Sequence, residues 1–121
     1  MPSFLPVPWI RWQRFVVDGV VREQESGRPL SGLVVCAFDK DLIKDDYLGE
    51  CETDAAGRFE IRFTDADFKD AMESRPDIYL CVFAPGTREP VHDTSLALRK
   101  DAGDEEHYEL AIPRGSLPES P

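Results

Sequence analysis

The stretch Val34 to Phe59, VVCAFDKDLIKDDYLGECETDAAGRF, constrains the fold more than any other part of the chain. Val34, Val35 and Phe38 favour a pleated strand, and the acids Asp39, Asp41, Asp45 and Asp46 end it in a loop. A short strand follows from Leu48 to Thr53. Asp54-Ala55-Ala56-Gly57 then turns the chain, since aspartate bonds nearby backbone and glycine tolerates left-handed torsions. Arg58-Phe59 opens the next strand. Strand, acidic loop, strand, tight turn and strand in 26 residues belong to an all-β domain.

The flanking sequence has the same character. Phe15, Val17, Gly19 and Val21 share one face of a first strand over 14–23, with Val16, Asp18, Val20 and Arg22 opposite. Ser26-Gly27-Arg28-Pro29 turns it, and the second strand runs from Leu33 to Asp39. In Arg58–Phe63, Phe59, Ile61 and Phe63 alternate with Arg58, Glu60 and Arg62. Thr64 and Asp67 form a capping-box pattern, and Phe68, Ala71 and Met72 share a helical face. One short helix is therefore expected at about 65–74, ended by Arg75-Pro76. Asp77–Ala84 reads as a buried strand, Leu96–Lys100 as a poorly defined one, and Glu106–Ile112 as the last, with Tyr108, Leu110 and Ile112 inward.

These elements predict an antiparallel β-sandwich of 7–8 strands, transthyretin-like or immunoglobulin-like. The domain spans 14–113, between an extended apolar segment at 1–13 and a flexible tail at 114–121. Two strands are apolar on both faces: Val34, Cys36 and Phe38 occupy the second face of one, and Tyr79, Cys81 and Phe83, or their alternates, that of the other. A two-layer sandwich fills only one face of each, so the second must be covered.

A chain of 121 residues suits a single core. With 14 basic and 24 acidic residues its net charge is −10, which disfavours nucleic acid and anionic membrane surfaces and suits a basic partner or a bound cation. The three cysteines, Cys36, Cys51 and Cys81, have no paired spacing and make neither a disulfide framework nor a zinc motif. The N-terminal residues MPSFLPVPWIRWQ read as neither a signal peptide nor a membrane span, and the expected location is cytoplasmic.

From Val16 to Pro113 the chain resembles the transthyretin-like proteins. The residues that carry the likeness are Gly27-Arg28-Pro29-Leu30, Asp39-Lys40-Asp41, Asp45-Asp46-Tyr47-Leu48-Gly49 and Thr53-Asp54-Ala55-Ala56-Gly57-Arg58-Phe59. The pattern looks especially like that of the nematode extracellular members, which carry signal peptides. Thr-Asp-x-x-Gly-Arg-Phe also occurs in carboxypeptidase-regulatory-like and intradiol-dioxygenase sandwiches. The 5-hydroxyisourate hydrolases of this fold use two histidines and an arginine. The resemblance places these at Val20, Glu109 and Arg58, so only the arginine is retained. Without either imidazole those positions hold no general base near neutral pH, and no catalytic residue is expected. Intradiol dioxygenases bind iron with two tyrosines and two histidines. The histidines here are His92 in a loop and the outward His107, both read as solvated.

Seven acids and two lysines between Asp39 and Asp54 carry half of the net charge. Asp39, Asp41, Asp45 and Asp46 are candidate calcium ligands, because a hard cation takes 6–8 oxygens; the spacing is similar to one calcium loop of C2 domains. The alternative is a solvated acidic loop in which Lys40 and Lys44 balance the carboxylates. No other cofactor is expected. In the N-terminal segment, Trp9, Ile10 and Trp12 form either a lid over the doubly apolar strands or a surface for a partner. The sequence thus predicts a non-catalytic module that binds a protein partner, its own copies or a ligand between subunits. The alternatives are a calcium-dependent binding module and, remotely, a small hydrolase.

Overall fold

A computed structural model describes residues 12–68 and 75–118. Seven strands occur among them: β1 (Arg14–Glu23), β2 (Val34–Asp39), β3 (Asp46–Glu52), β4 (Arg58–Thr64), β5 (Ile78–Phe83), β6 (His92–Asp93) and β7 (Glu105–Ile112). They form two sheets, a three-stranded one in the order β4-β1-β7 and a four-stranded one in the order β3-β2-β5-β6. This is the expected all-β sandwich, with one departure from antiparallel pairing: β1 and β7 run parallel. Side-chain alternation marks which face of a strand is buried but says nothing of its direction, so the pattern could not reveal this pair.

The core follows from that alternation. β1 buries Phe15, Val17 and Val21, β4 buries Phe59, Ile61 and Phe63, and β7 buries Tyr108, Leu110 and Ile112. From the other sheet, Val35 and Ala37 of β2 and Ile78, Leu80 and Val82 of β5 are fully buried. Fully burying a side chain such as Val35 or Leu80 stabilises by about 1.5–3 kcal/mol. Phe15 stacks on Phe63 with centroids 5.1 Å apart, and Phe68 meets both rings edge-on. Gly19 lets β1 approach β7 closely: a Cβ there would stand 2.2 Å from the Tyr108 carbonyl oxygen.

The Thr53-to-Phe59 motif explains its own structural role. The Thr53 hydroxyl accepts from the Leu33 N–H at 3.0 Å, and an Asp54 carboxylate oxygen accepts from the N–H groups of Ala56 and Arg58, each at 2.9 Å. Gly57 has φ +74°, and a Cβ would lie 2.5 Å from the Val21 carbonyl. The motif thus locks the turn between β3 and β4.

Three local expectations change. The capping box at Thr64 and Asp67 is present, but Asp65–Asp67 makes a 3-10 turn; Ala71, Met72 and the rest of 69–74 lie outside the described residues. Leu96–Lys100 is not a strand: Ser95–Ala97 forms a 3-10 turn and only Arg99 bridges to Ile78. The pairing falls instead to β6, whose two residues are too few to show periodicity. The tail, expected to be loose from residue 114, is anchored through Leu117. The Arg114 guanidinium donates to Glu23 at 2.8 Å, its N–H donates to Glu25, and Leu117 packs against the core. Arg28 stands 3.7 Å from the same Glu23 carboxylate, which is 4% exposed. The Arg114 hydrogen bond is the main cause that holds Glu23 below the usual carboxylate range. Among the described residues no helix is long and apolar enough to cross a membrane.

Candidate functional site

With Val35, Ala37, Ile78, Leu80 and Val82 committed to the core, their alternates must point out of the four-stranded sheet. Three rows result. Tyr47, Phe38 and Tyr79 lie side by side across β3, β2 and β5; Glu50, Cys36, Cys81 and Asp93 span all four strands; Glu52, Val34 and Phe83 complete the face. Phe38 stacks on Tyr79 at 5.3 Å and meets Tyr47 edge-on at 5.9 Å. The described residues supply no third sheet over this face.

Carboxylates border it. The Tyr47 hydroxyl donates to Glu50 at 2.7 Å, and the Tyr79 hydroxyl donates to Asp45 at 2.5 Å. Partial burial, followed by the acceptor's charge, raises both phenols, Tyr47 to about 12. The loop between β2 and β3 closes over one end of the face. Asp45 ties it down by accepting from the Asp41 N–H at 3.0 Å, while the loop's tip residues Leu42 and Ile43 are fully exposed. The Asp41 N–H, then the Tyr79 hydroxyl, hold Asp45 below the usual carboxylate range.

The four candidate calcium ligands are engaged with different partners. Asp39 is buried and accepts from the Asp77 N–H at 2.8 Å; Asp41 accepts from the Leu42 N–H at 2.6 Å; Asp45 serves Asp41, Tyr79 and Lys40; Asp46 lies on β3 opposite Asp39. No group of three or more His, Cys, Asp or Glu side chains suited to a metal ion occurs among the described residues. Within the loop, the Asp41 and Leu42 N–H groups each engage one carboxylate oxygen, of Asp45 and Asp41. These bonds are invisible in spacing alone.

Of the N-terminal candidates, Trp9 and Ile10 lie outside the described residues. Trp12 is 56% exposed, so its ring does not serve as a buried lid.

The outer face of the three-stranded sheet differs in kind. Glu109, Val20 and Arg58, the three positions singled out by the hydrolase resemblance, stand in one row across β7, β1 and β4. The next row is His107, Asp18 and Glu60. His107 Nδ1 is 2.8 Å from Asp18 and Nε2 is 3.2 Å from Glu109, and these two carboxylates raise the imidazole above its ordinary 6.5. With both ring nitrogens facing carboxylates, the protonated form of His107 is favoured. Asp18, Val20, Arg58, Glu60 and His107 line an open depression of about 400 Å³. His92 belongs to the other sheet, so the two histidines do not converge. Sequence reasoning left His107 solvated; its partner Asp18 is 89 residues away, and no local signal links them.

No protein family's sequence pattern matches the chain, and no curated protein matches it significantly. Solved structures do resemble it. A 9R-lipoxygenase from Cyanothece PCC8801 is 26% identical over 84% of this chain, with a TM-score of 0.58, and this chain spans 17% of that protein's length. The dioxygenase domain of a dioxygenase carbohydrate-binding protein fusion from Streptomyces sp. SirexAA-E is 18% identical, with a TM-score of 0.52 and 93% of each chain covered. Chlorocatechol 1,2-dioxygenase from Pseudomonas putida is 14% identical, with a TM-score of 0.52, covering 94% of this chain and 70% of that one. The likeness to the last two is one of β-sandwich fold alone.

Proposed function

We propose that this chain is a non-catalytic, transthyretin-like interaction module that binds a protein partner through the outer face of the four-stranded sheet. The observation that carries this reading is the aromatic row Tyr47, Phe38 and Tyr79 on that face, framed by Asp45, Glu50, Glu52 and Asp93. An apolar centre with a polar rim is the anatomy of a protein interface, and a carboxylate rim on a chain of net charge −10 selects a basic partner. A second copy would set like charges against each other, so the partner is a different protein. On the opposite face, Val20 and Glu109 take the positions where the hydrolase resemblance calls for imidazoles. No 5-hydroxyisourate turnover above background is expected; turnover that disappears in Arg58→Ala would overturn the non-catalytic reading.

The binding test is capture from the native host followed by mass spectrometry. Tyr47→Ala and Leu42→Ser, both at exposed positions, should lose the captured protein, added salt should weaken its capture, and Arg62→Ala on the opposite face should keep it. Retention by the first two variants, loss with the third, or a salt-independent homodimer in sedimentation would count against this surface.

A further inference from the structure

Cys36 and Cys81 stand directly opposite each other on β2 and β5, both pointing out of the core and only 8% and 9% exposed. The pairing type follows from the register. Lys40 N–H donates to the Asp77 carbonyl at 2.9 Å, and every second pair from there, Phe38–Tyr79, Cys36–Cys81 and Val34–Phe83, is of the same hydrogen-bonded kind. Such pairs hold their Cα atoms about 5.5 Å apart, inside the 4.4–6.8 Å that a disulfide spans. Their Cβ atoms lie farther apart than a relaxed disulfide prefers. Closing the bond therefore draws two hydrogen-bonded strands inward, and a bond closed under such tension is readily reduced again. Cys51 takes no part: it pairs with Val35 on β3, and its thiol lies 3.4 Å from the Glu52 carbonyl.

We propose that Cys36 and Cys81 form a reversible two-electron redox site that closes a cross-strand disulfide when a small-molecule disulfide supplies the oxidising equivalents. One cysteine gives up its proton, and its thiolate attacks a sulfur of the reagent. That S–S bond breaks, the first reagent thiolate leaves, and a mixed disulfide remains on the protein. The second cysteine, deprotonated in turn, attacks the protein-side sulfur, forms the Cys36–Cys81 bond and expels the second reagent thiolate. Two electrons and two protons leave the protein, and the reagent becomes two thiols.

The surroundings keep the pair reduced at rest. Burial first, then a carboxylate, disfavours each thiolate: Glu50 from β3 faces Cys36, and Asp93 from β6 faces Cys81, which is pushed up to about 11. The Tyr47 phenol borders the same row, and Cys36 further raises Cys81. Closure is therefore slow near neutrality and accelerates about tenfold per pH unit, as the thiolate fraction grows. The acidic rim favours an uncharged reagent. The inference stands whether or not this face binds a partner, because its test reads only the thiols.

The reduced full-length chain is treated with excess hydroxyethyl disulfide at two pH values one unit apart, quenched in acid, and its thiols are counted after denaturation and peptide mapping. Two of the three thiols should vanish together without a stable adduct, joined as Cys36–Cys81, about tenfold faster at the higher pH, and return with dithiothreitol. Cys51→Ser should behave in the same way at this pair, while Cys36→Ser and Cys81→Ser should each trap a mercaptoethanol adduct on the remaining partner. Separate stable adducts on Cys36 and Cys81, a crosslink through Cys51, or an unchanged pair after Cys51 is fully modified would overturn the proposal.

Discussion

The two outer faces of this sandwich come from the same kind of strand and have opposite chemistry. On the three-stranded sheet, Asp18, Glu60, Arg62, His107 and Glu109 partner one another, Arg62 with Glu60 as an ion pair at 2.9 Å and His107 with Asp18 by a hydrogen bond at 2.8 Å. On the four-stranded sheet, Val34, Phe38, Tyr79 and Phe83 offer apolar surface, and their polar neighbours sit at its margin. The first face is complete in water. The second carries apolar side chains whose removal from water is favourable. Alternation along a single strand decides which face is which: β4 places charges opposite its core residues and β1 mixes charges with valines, whereas β2 and β5 place aromatics, thiols and Val34 there.

Truncating one residue on each face gives the largest contrast. Phe38→Ala removes a half-buried ring with two aromatic neighbours and should cost about 2 kcal/mol in denaturant melts. Arg62→Ala, which breaks an exposed pair, should leave the melt essentially unchanged. Equal effects would erase the distinction between the faces.

Acid and base should act on the two faces in opposite directions. Asp45 is held below its ordinary 3.8, chiefly by the Asp41 N–H, so its contribution is complete above that value and is lost as pH falls through its depressed folded pKa. His107 is held above 6.5, chiefly by Asp18, so its contribution is complete below that value and is lost as pH rises through its raised folded pKa. Urea melts of Asp45→Asn and His107→Gln against the wild type should show the first difference closing in acid and the second closing in base. The His107 effect should also shrink with added salt, since the pair is exposed. A His107 difference that persists in base would assign that residue a packing role instead.

A small effect is expected between the faces, in the core. The Tyr108 hydroxyl is buried without a hydrogen-bond partner among the described residues, and burial raises the phenol to about 12. Tyr108→Phe keeps the ring beneath the Arg99 guanidinium, 3.7 Å from its centroid, and should leave stability unchanged or raise it by up to about 1 kcal/mol. A clear loss would mean that the hydroxyl has a partner.

The amino-acid sequence by itself determined the strands whose side chains alternate cleanly, and their inward faces, because burial on a pleat repeats every second residue. Phe15, Val17 and Val21 on β1 or Phe59, Ile61 and Phe63 on β4 need no knowledge of their neighbours. It determined that β2 and β5 carry surplus apolar surface, and it marked the Thr64–Asp67 cap and the Asp54–Gly57 turn, whose partners are a few residues away. Only the tertiary structure decided what depends on strand direction and register. It set β7 parallel to β1, which brings Asp18 to His107 and aligns Val20 with Glu109; it set Cys36 against Cys81; and it brought Arg114 back to Glu23 across 91 residues. It also gave Asp39, Asp41 and Asp45 hydrogen-bond partners that their spacing does not show, and set Asp46 opposite Asp39. The division has one physical cause: alternation and turn chemistry act over a few bonds and are written in neighbouring residues, whereas register is fixed by the packing of both sheets together.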